Sequence, residues 1–256
     1  IGVFSTGKAF DGIFNTHLLE DAWTYGGNAT FYLPFGASSN TYIGLDFFGT
    51  SFNEQMVVDY ENIANTIDFY ALDGKRSFSR SYQIDFNVEP VRRLTVSATF
   101  RYTDTRIEMK ERGLTEKPLT SRYKGVLNLQ YATNLNKWVF DFTASINGKS
   151  RVYNFMEDLR DENGKLLYKD GYSPAYPLLY LQVTKRFKGI DIYLGAENLT
   201  NFRQKNLLVG TPMEETAGHG GMAAVNTALP DFDASAIWGP IMGTKVYIGL
   251  RYTLWK

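Results

Sequence analysis

The sequence predicts an all-β protein, and more narrowly an antiparallel up-and-down transmembrane β-barrel. Apolar and polar residues alternate with a period of two over segments of about ten residues, the length of a tilted strand that crosses a bilayer. The connections between these segments are alternately short and long, as in outer-membrane barrels. The chain also contains 17 Tyr, 18 Phe and 23 Gly, a composition that favours strands over helices.

Composition and charge exclude several classes of function. The 256 residues include 27 Lys plus Arg and 27 Asp plus Glu, so no basic excess is available for phosphates and no nucleic acid is expected as a partner. The absence of cysteine excludes disulfides and thiolate chemistry. No window has the roughly 18 apolar residues of a membrane helix. The mean hydropathy of −0.26 does not argue against a barrel, because alternating strands average their hydropathy.

The N-terminal part of the chain contains two predicted strands. The sequence begins at Ile1 without an initiator Met or a signal sequence, and we therefore expect a processed product or a fragment. Residues 1–25 show no sustained period and are predicted to be mostly loop. Strands are predicted over residues 27–33 and from residue 41 onwards, and the polar tract 61–76 is predicted to be a loop.

The clearest hairpin follows this tract. Its strands cover residues 82–89 and 94–103, where one parity is apolar and the other carries charged and amide side chains. Residues 111–121 are predicted to be a charged loop. The same alternation predicts two further strands over residues 123–131 and 138–146.

The C-terminal part repeats this arrangement. Residues 148–176 form a polar excursion, after which strands are predicted over residues 177–187 and 190–197. Residues 199–243 are a predicted loop, far longer than the usual connection of about two to six residues. The last strand, residues 244–255, alternates over about eleven residues, whereas an ordinary soluble strand has about five or six.

The strand count and the order of the connections define the architecture. We count about nine strands, with short connections after Leu33, Val88, Tyr131 and Phe187 and long ones after the second, fourth, sixth and eighth strands. Short and long connections therefore collect at opposite ends of the sheet. Single-chain bacterial barrels have an even number of strands, so nine strands predict an incomplete sheet.

Three motifs resemble the C-terminal end of a TonB-dependent outer-membrane receptor of the Bacteroidetes style. They are Glu197-Asn198-Leu199-Thr200-Asn201-Phe202, the segment from Trp238 to Gly243 that leads into residues 246–252, and Ser173-Pro174-Ala175-Tyr176-Pro177 before residues 181–187. Thr244 stands where the family commonly has Arg. The order and spacing of the motifs, together with the hairpin rhythm, extend the resemblance over nearly the whole chain.

The resemblance implies that residues 1–256 are about the last nine strands of a 22-stranded barrel with a plugged lumen. The plug domain, the TonB box and the N-terminal strands have no match in the sequence. It further implies a location in the cell outer membrane and uptake of a scarce nutrient such as a metal chelate, a cofactor or a glycan. The implied partners are outer-membrane lipid, the rest of the barrel and its plug, the TonB complex and a surface lipoprotein.

The sequence offers weak evidence for chemistry at defined sites. Met213, His219 and Met222 lie together in the last long loop, and sulfur with imidazole suits copper or haem iron; the preferred interpretation is a Gly-rich loop that happens to hold one His. Carboxylate pairs such as Asp158 and Asp161 lie in charged loops, where solvation explains them. No nucleophile elbow, phosphate loop or zinc motif is present, so neither an enzyme nor a cofactor is predicted.

Two further groups of residues follow from the strand parity. Charged and amide residues on the polar parity are candidates for lining the lumen or meeting a ligand: Asp85, Asn87, Glu89, Arg101, Asp141 and Arg186. Aromatic residues near strand ends are predicted to form an interfacial girdle, since amphipathic rings prefer the headgroup zone: Trp23, Tyr25, Trp138, Tyr176, Phe187, Trp238 and Trp255. The alternative for the second group is a set of ligand platforms.

Two other classes of protein remain open at this point. A stand-alone surface β-sandwich, an adhesin or a carbohydrate-binding protein, would use its long loops for recognition, but its strands would end near six residues. A small pore-forming barrel would need an even number of strands and no plug.

Overall fold

The computed structural model describes residues 3–4, 20–38, 40–61, 66–160, 163–204 and 237–254. The strands in these ranges are β1 (Val3–Phe4), β2 (Asp21–Tyr32), β3 (Tyr42–Glu54), β4 (Met56–Asp59), β5 (Thr66–Ala71), β6 (Ser77–Val91), β7 (Leu94–Met109), β8 (Gly113–Glu116), β9 (Tyr123–Ala132), β10 (Trp138–Asn147), β11 (Tyr176–Phe187), β12 (Ile190–Glu197) and β13 (Lys245–Tyr252). Nine long strands of the described part form one sheet in the order β13-β12-β11-β10-β9-β7-β6-β3-β2, and β8 pairs with β7. Every pairing in this sheet is antiparallel. The helical elements are α1 (Asn154–Glu157) and the 3₁₀ turns Asn134–Asn136 and Lys169–Gly171.

Seven of the nine long strands have ten residues or more, the length that a tilted membrane crossing requires. β6 has 15 residues and β7 has 16, so β7 is about 50 Å long at a rise of about 3.4 Å per residue. A tilted crossing needs about nine to eleven residues, and these two strands therefore extend beyond it. Within the described ranges, the predicted count of nine strands is confirmed, apart from the short β8. β12 and β13 have eight residues each, and β13 covers residues 245–252 rather than the predicted 244–255.

The strand register places the apolar residues on one face of the sheet. One row across five neighbouring strands is Tyr131, Phe140, Val183, Leu194 and Ile248. Leu194 is 54% exposed and Ile248 is 76% exposed. A contiguous apolar face of this kind marks a surface for a membrane or a partner, and we call it the outer face.

The connections at the two ends of the sheet differ in length. Four short ones join β2 to β3, β6 to β7, β9 to β10, and β11 to β12; the last two consist of residues 133–137 and 188–189. Four long ones join β3 to β6, β7 to β9, β10 to β11, and β12 to β13. Because neighbouring strands are antiparallel, all short connections lie at one end and all long ones at the other. The predicted sorting of the loops is confirmed.

Three predictions about loops were wrong. β2 begins at Asp21, so the alternation that includes Trp23 and Tyr25 extends the first strand into the tract assigned to loop. β5 lies within the predicted loop 61–76, and β8 lies within the predicted loop 111–121. β5 forms because it pairs with the preceding strand β4 and, in parallel, with β1. A strand of six residues shows too few alternations to stand out from a polar tract.

Two clusters of buried apolar residues lie at the end of the long connections. Val57, Leu72, Ile107 and Met109 form one cluster, in which Val57 and Leu72 are fully buried. Val152, Met156 and Tyr168 form a second cluster, against which Trp238 packs. The described parts of the long connections therefore contain packed clusters, whereas the middle of the sheet exposes both of its faces. Within the described ranges, no helix is long and apolar enough to cross a membrane.

Candidate functional site

The face opposite the outer face carries a hydrogen-bonded set of polar side chains. The register places Asp85 opposite Thr99 and Gln83 opposite Arg101. Asp85 accepts hydrogen bonds from the Thr99 hydroxyl at 2.6 Å and from Nε2 of Gln83 at 2.7 Å. Nε of Arg101 donates to Oε1 of Gln83 at 2.7 Å. These contacts fix the directions of two charged side chains on what we call the inner face.

The polar character of the inner face continues across the remaining strands. Nε2 of Gln130 donates to Oδ1 of Asp141 at 2.7 Å, which joins β9 to β10. The Tyr247 hydroxyl donates to Oε1 of Gln182 at 2.9 Å, which joins β13 to β11 across Gly195. The hydroxyl of Ser97 donates to Oδ1 of Asn87 at 2.7 Å. The structure thus places Asp85, Asn87, Arg101 and Asp141 on one surface.

The two other predicted lumen residues lie at the end of the short connections. Oε1 of Glu89 accepts a hydrogen bond from the backbone N–H of Arg93 at 2.6 Å, which closes the β6–β7 turn. Nε of Arg186 lies 3.8 Å from Oδ2 of Asp191 on the neighbouring strand. Glu89 therefore has a structural partner in a turn, and Arg186 has a partly exposed ion pair.

At the opposite end, a buried ion pair joins two long connections. Nη1 and Nη2 of Arg151 donate to Oε1 and Oε2 of Glu61 at 2.8 and 2.7 Å, and the side chains are 7% and 3% exposed. The backbone N–H of Asn154 donates to Oε1 of Glu61 at 2.8 Å. Nε of Arg151 donates to the Glu116 carbonyl oxygen at 2.8 Å. Three connections are thus held together at one point.

A second polar cluster lies beside this ion pair. Nε of Arg122 donates to both carboxylate oxygens of Glu116 at 2.9 and 3.1 Å, and its Nη2 donates to the Tyr172 hydroxyl at 2.7 Å. The hydrogen bond with Glu116 raises the pKa of Arg122. Burial, with the negative charge of Glu116, raises the pKa of the Tyr172 phenol. At neutral pH the cluster therefore presents a charged guanidinium and a neutral phenol.

Two residues of the predicted aromatic girdle are placed elsewhere. Tyr176 is 9% exposed and stacks on Phe202 with ring centroids 4.6 Å apart. Trp238 lies 5.8 Å from Tyr176, and its indole N–H donates to the Tyr168 hydroxyl at 3.1 Å. Tyr176 is covered by protein beneath the long connections, so it does not form part of a lipid-facing girdle. Trp238 is half-buried there, and its role in a girdle stays a prediction.

Four other girdle residues are exposed near the ends of the outer face. Trp23 and Tyr25 lie towards the long connections and are 71% and 44% exposed, whereas Trp138 and Phe187 lie towards the short ones and are 40% and 54% exposed. Trp255 lies outside the described residues. The role of these rings at a membrane interface stays a prediction.

The Asn-rich motif at residues 197–202 has a structural role. Asn198, in a left-handed conformation with φ 51°, donates from Nδ2 to the carbonyl oxygens of Phe202 at 2.8 Å and Met242 at 3.0 Å. The Thr244 hydroxyl donates to the Asn198 carbonyl oxygen at 2.8 Å, and the Thr244 N–H donates to Oδ1 of Asn201 at 3.2 Å. The motif ties the end of β12 to the start of β13.

The candidate metal ligands Met213, His219 and Met222 lie outside the described residues. In the part of the chain that the structure describes, no group of three or more His, Cys, Asp or Glu side chains is arranged to hold a metal ion. The ion pair of Glu61 with Arg151 was missed from the sequence, because its partners come from connections 90 residues apart. The cluster around Glu116 was also missed, because Tyr172 comes from a different connection from Glu116 and Arg122.

These features define a class of fold: one antiparallel sheet of long strands, apolar outside and polar inside, with its loops sorted by length. Comparison with solved structures specifies the class. The siderophore receptor PirA from Acinetobacter baumannii matches over 91% of this chain with a TM-score of 0.58 and 12% identity. The FrpB iron transporter from Neisseria meningitidis matches over 90% with a TM-score of 0.52 and 10% identity. The ferric enterobactin receptor PfeA, from Pseudomonas aeruginosa, also matches over 90%, with a TM-score of 0.52 and 12% identity.

These three matches show that the chain has the fold of a barrel segment of such receptors. The chain spans 32%, 31% and 31% of the three matched chains. No protein-family model matches the sequence, and no curated protein matches it.

Proposed function

We propose that this chain forms part of the barrel wall of a TonB-dependent outer-membrane receptor that takes up a scarce nutrient. The observation that carries the proposal is the nine-stranded sheet with an uncovered apolar face, a polar inner face and long connections collected at one end. An apolar sheet face is stable in hydrocarbon, and a polar one in a hydrated lumen. The names of the matched receptors favour an iron chelate as the nutrient; a cofactor or a glycan fits the same architecture.

The proposed roles of the residues follow from their positions. The inner face, with Asp85, Asn87, Arg101 and Asp141, faces the lumen and its plug. The packed long connections form the extracellular side, where a ligand is captured. The outer face contacts lipid, and TonB supplies energy through the plug. A surface lipoprotein is a further partner on the extracellular side. Transport by this route involves binding and release without covalent chemistry.

Energy-dependent uptake tests the proposal in cells that make this protein. Deletion of its gene is expected to abolish uptake of one scarce nutrient, and loss of TonB is expected to abolish uptake while binding at the cell surface persists. Fractionation provides an independent measurement: the protein is expected in the outer membrane and to need detergent for extraction. Recovery as a soluble monomer without detergent contradicts the membrane role, and uptake that persists without TonB contradicts the energy source.

The sandwich alternative receives no support from the sheet. A sandwich covers the apolar face of one sheet with another, whereas Trp23, Val246 and Ile248 on the outer face are each more than 70% exposed. The strands of 15 and 16 residues also exceed those of an ordinary sandwich.

A further inference from the structure

A group of cations lies on the outer side of the sheet, beside the long connections. Lys75 and Arg76 precede β6. Arg80 lies on the outer face of β6, two residues before Tyr82 and therefore nearer to the long connections. All three cations are exposed, and they line a cavity of about 400 Å³ together with residues of β3. We call Lys75, Arg76 and Arg80 the basic rim.

The basic rim is short of neutralising carboxylates. Within the described ranges, none of its three side chains forms an ion pair. Asp104 lies directly opposite Arg80 in the register of β6 with β7, but its carboxylate pairs with Nε of Arg106 at 3.0 Å. Asp21 accepts a hydrogen bond from Asn53 at 3.1 Å. The Arg80 guanidinium lies 4.6 Å from the centre of the Phe78 ring, a contact that leaves its N–H groups available to an anion.

An apolar groove lies on the same face, next to the basic rim. It has a volume of about 590 Å³ and is lined by residues that include Gly27, Ala29, Leu45, Phe47 and Tyr82. A Cβ atom placed on Gly27 would have nothing within 4 Å, so the small residues of β2 keep the groove open. Tyr82 and Arg80 are two residues apart on one face of β6, about 7 Å along the strand. The groove therefore leads to the cations.

We propose that the basic rim and this groove together bind one anionic lipid whose headgroup carries phosphate. The phosphate oxygens accept hydrogen bonds from Arg80, Arg76 and Lys75, and an acyl chain lies in the groove along Gly27 and Phe47. The adjacent groove favours a lipid over free phosphate, since free phosphate would make no use of it. This inference rests on the proposed function, because it needs the outer face to lie in a membrane.

A binding experiment on the complete protein in a neutral detergent tests this inference. The probes are diphosphorylated lipid A, the same lipid without its phosphates, and inorganic phosphate. We expect native mass spectrometry to show a retained molecule of the diphosphorylated lipid, and the triple variant Lys75→Gln/Arg76→Gln/Arg80→Gln to weaken its affinity at least tenfold. The matched control Arg92→Gln/Lys137→Gln/Lys188→Gln removes three exposed cations from the short connections and should leave the affinity unchanged.

A second variant tests the groove separately. Gly27→Leu places a side chain in the open space over β2 and should weaken lipid binding several-fold without affecting the basic rim. Equal affinity for the lipid with and without phosphate overturns the inference, as does full competition by millimolar inorganic phosphate or unchanged binding in the rim variant. If the protein needs detergent and folds as a barrel but retains no lipid, this inference fails and the proposed function stands. If the protein is soluble without detergent, the proposed function itself fails.

Discussion

At the scale of single residues, the ion pair of Glu61 with Arg151 is the clearest determinant of the loop structure. The two residues are 90 positions apart in the chain, and both side chains are almost fully buried. Removing one partner of such a pair leaves an uncompensated buried charge and costs about 3–5 kcal/mol. We therefore expect Arg151→Met to release the connection that contains α1, and limited proteolysis of the folded protein should show faster cleavage there.

The double variant Glu61→Leu/Arg151→Met provides the control for this prediction. It removes both charges together, and such replacements are much milder than the loss of one partner. Proteolysis of the double variant should therefore be closer to that of the wild type than to that of Arg151→Met. Equal cleavage rates in the single variant and the wild type would contradict a structural role for the pair.

The stability of the small sheet formed by β1, β5 and β4 should decrease at alkaline pH because of Tyr70. Burial and the hydrogen bond that its hydroxyl donates to Asp59 raise the pKa of Tyr70 well above its ordinary value of 10.0. A folded-state pKa that is raised stabilises the fold below the unfolded-state pKa, and this contribution is lost as the pH rises above about 10.

Tyr70→Phe serves as the comparison, because the phenyl ring does not ionise. At pH 8 the wild type should be the more stable of the two, and the difference in the urea midpoint should shrink between pH 10 and pH 11. A difference that stays constant over this range would contradict the role of the Tyr70 hydroxyl.

Much of the polar inner face could be predicted from the sequence, whereas the loop contacts could not. Strand parity alone assigns Asp85, Arg101 and Asp141 to one face, since successive side chains alternate. Their hydrogen bonds need the register, which depends on the neighbouring strands. No local pattern connects Glu61 with Arg151. Tyr176 was predicted to be a girdle residue because the rings that cover it, Phe202 and Trp238, are distant in the sequence.

At the scale of the element, β2 and β3 pack closely at one glycine and loosely at the next. A Cβ atom on Gly26 would lie 2.5 Å from the backbone oxygen of Phe47, whereas one on Gly27 would meet nothing within 4 Å. A backbone atom cannot move aside without disturbing the pairing, so Gly26→Ala should cost about 1–3 kcal/mol.

Gly27→Ala is the matched control for Gly26→Ala, because it adds the same methyl group one residue away. We expect Gly27→Ala to leave the stability within about 0.5 kcal/mol of the wild type. Denaturant unfolding of both variants in detergent micelles, followed by tryptophan fluorescence, measures the difference. Equal midpoints would show that the β2–β3 contact is looser than the structure indicates.

The elements that were missed have two physical causes. The alternation in β2 at Trp23 and Tyr25 was hidden by a tract rich in Gly, Asn and Asp. β5 and β8 are short, with six and four residues, and they form through pairing with β4 and β7. Long amphipathic strands carry their own signal, whereas strands of four to six residues show too few alternations to stand out from a loop.

At the scale of the whole molecule, the two faces of the sheet should respond differently to charge. Leu127 on the outer face is 37% exposed, and its neighbour Val126 on the inner face is 43% exposed. In a bilayer, an Arg on the lipid side costs about 2–4 kcal/mol near the midplane, whereas one on the lumen side is hydrated. Leu127→Arg should therefore impair folding into lipid vesicles, and Val126→Arg should not.

The yield of folded protein after dilution from urea into vesicles measures this difference. Because the two positions are adjacent and similarly exposed, a sheet that lies in water would treat both variants alike. Equal yields would therefore count against a membrane location for the outer face.

The strict separation of the two faces also affects how the protein reaches its final structure. If a strand paired with its neighbour one residue out of register, all of its inward-facing side chains would face outwards. In β6, such a shift would place Gln83, Asp85 and Asn87 towards the lipid of the proposed membrane. Hydrocarbon gives such groups no hydrogen-bond partners, so a misaligned strand would be rejected during insertion. In the proposed membrane setting, the surrounding lipid would therefore select the correctly paired sheet during assembly, although the middle of the sheet has no buried core of its own.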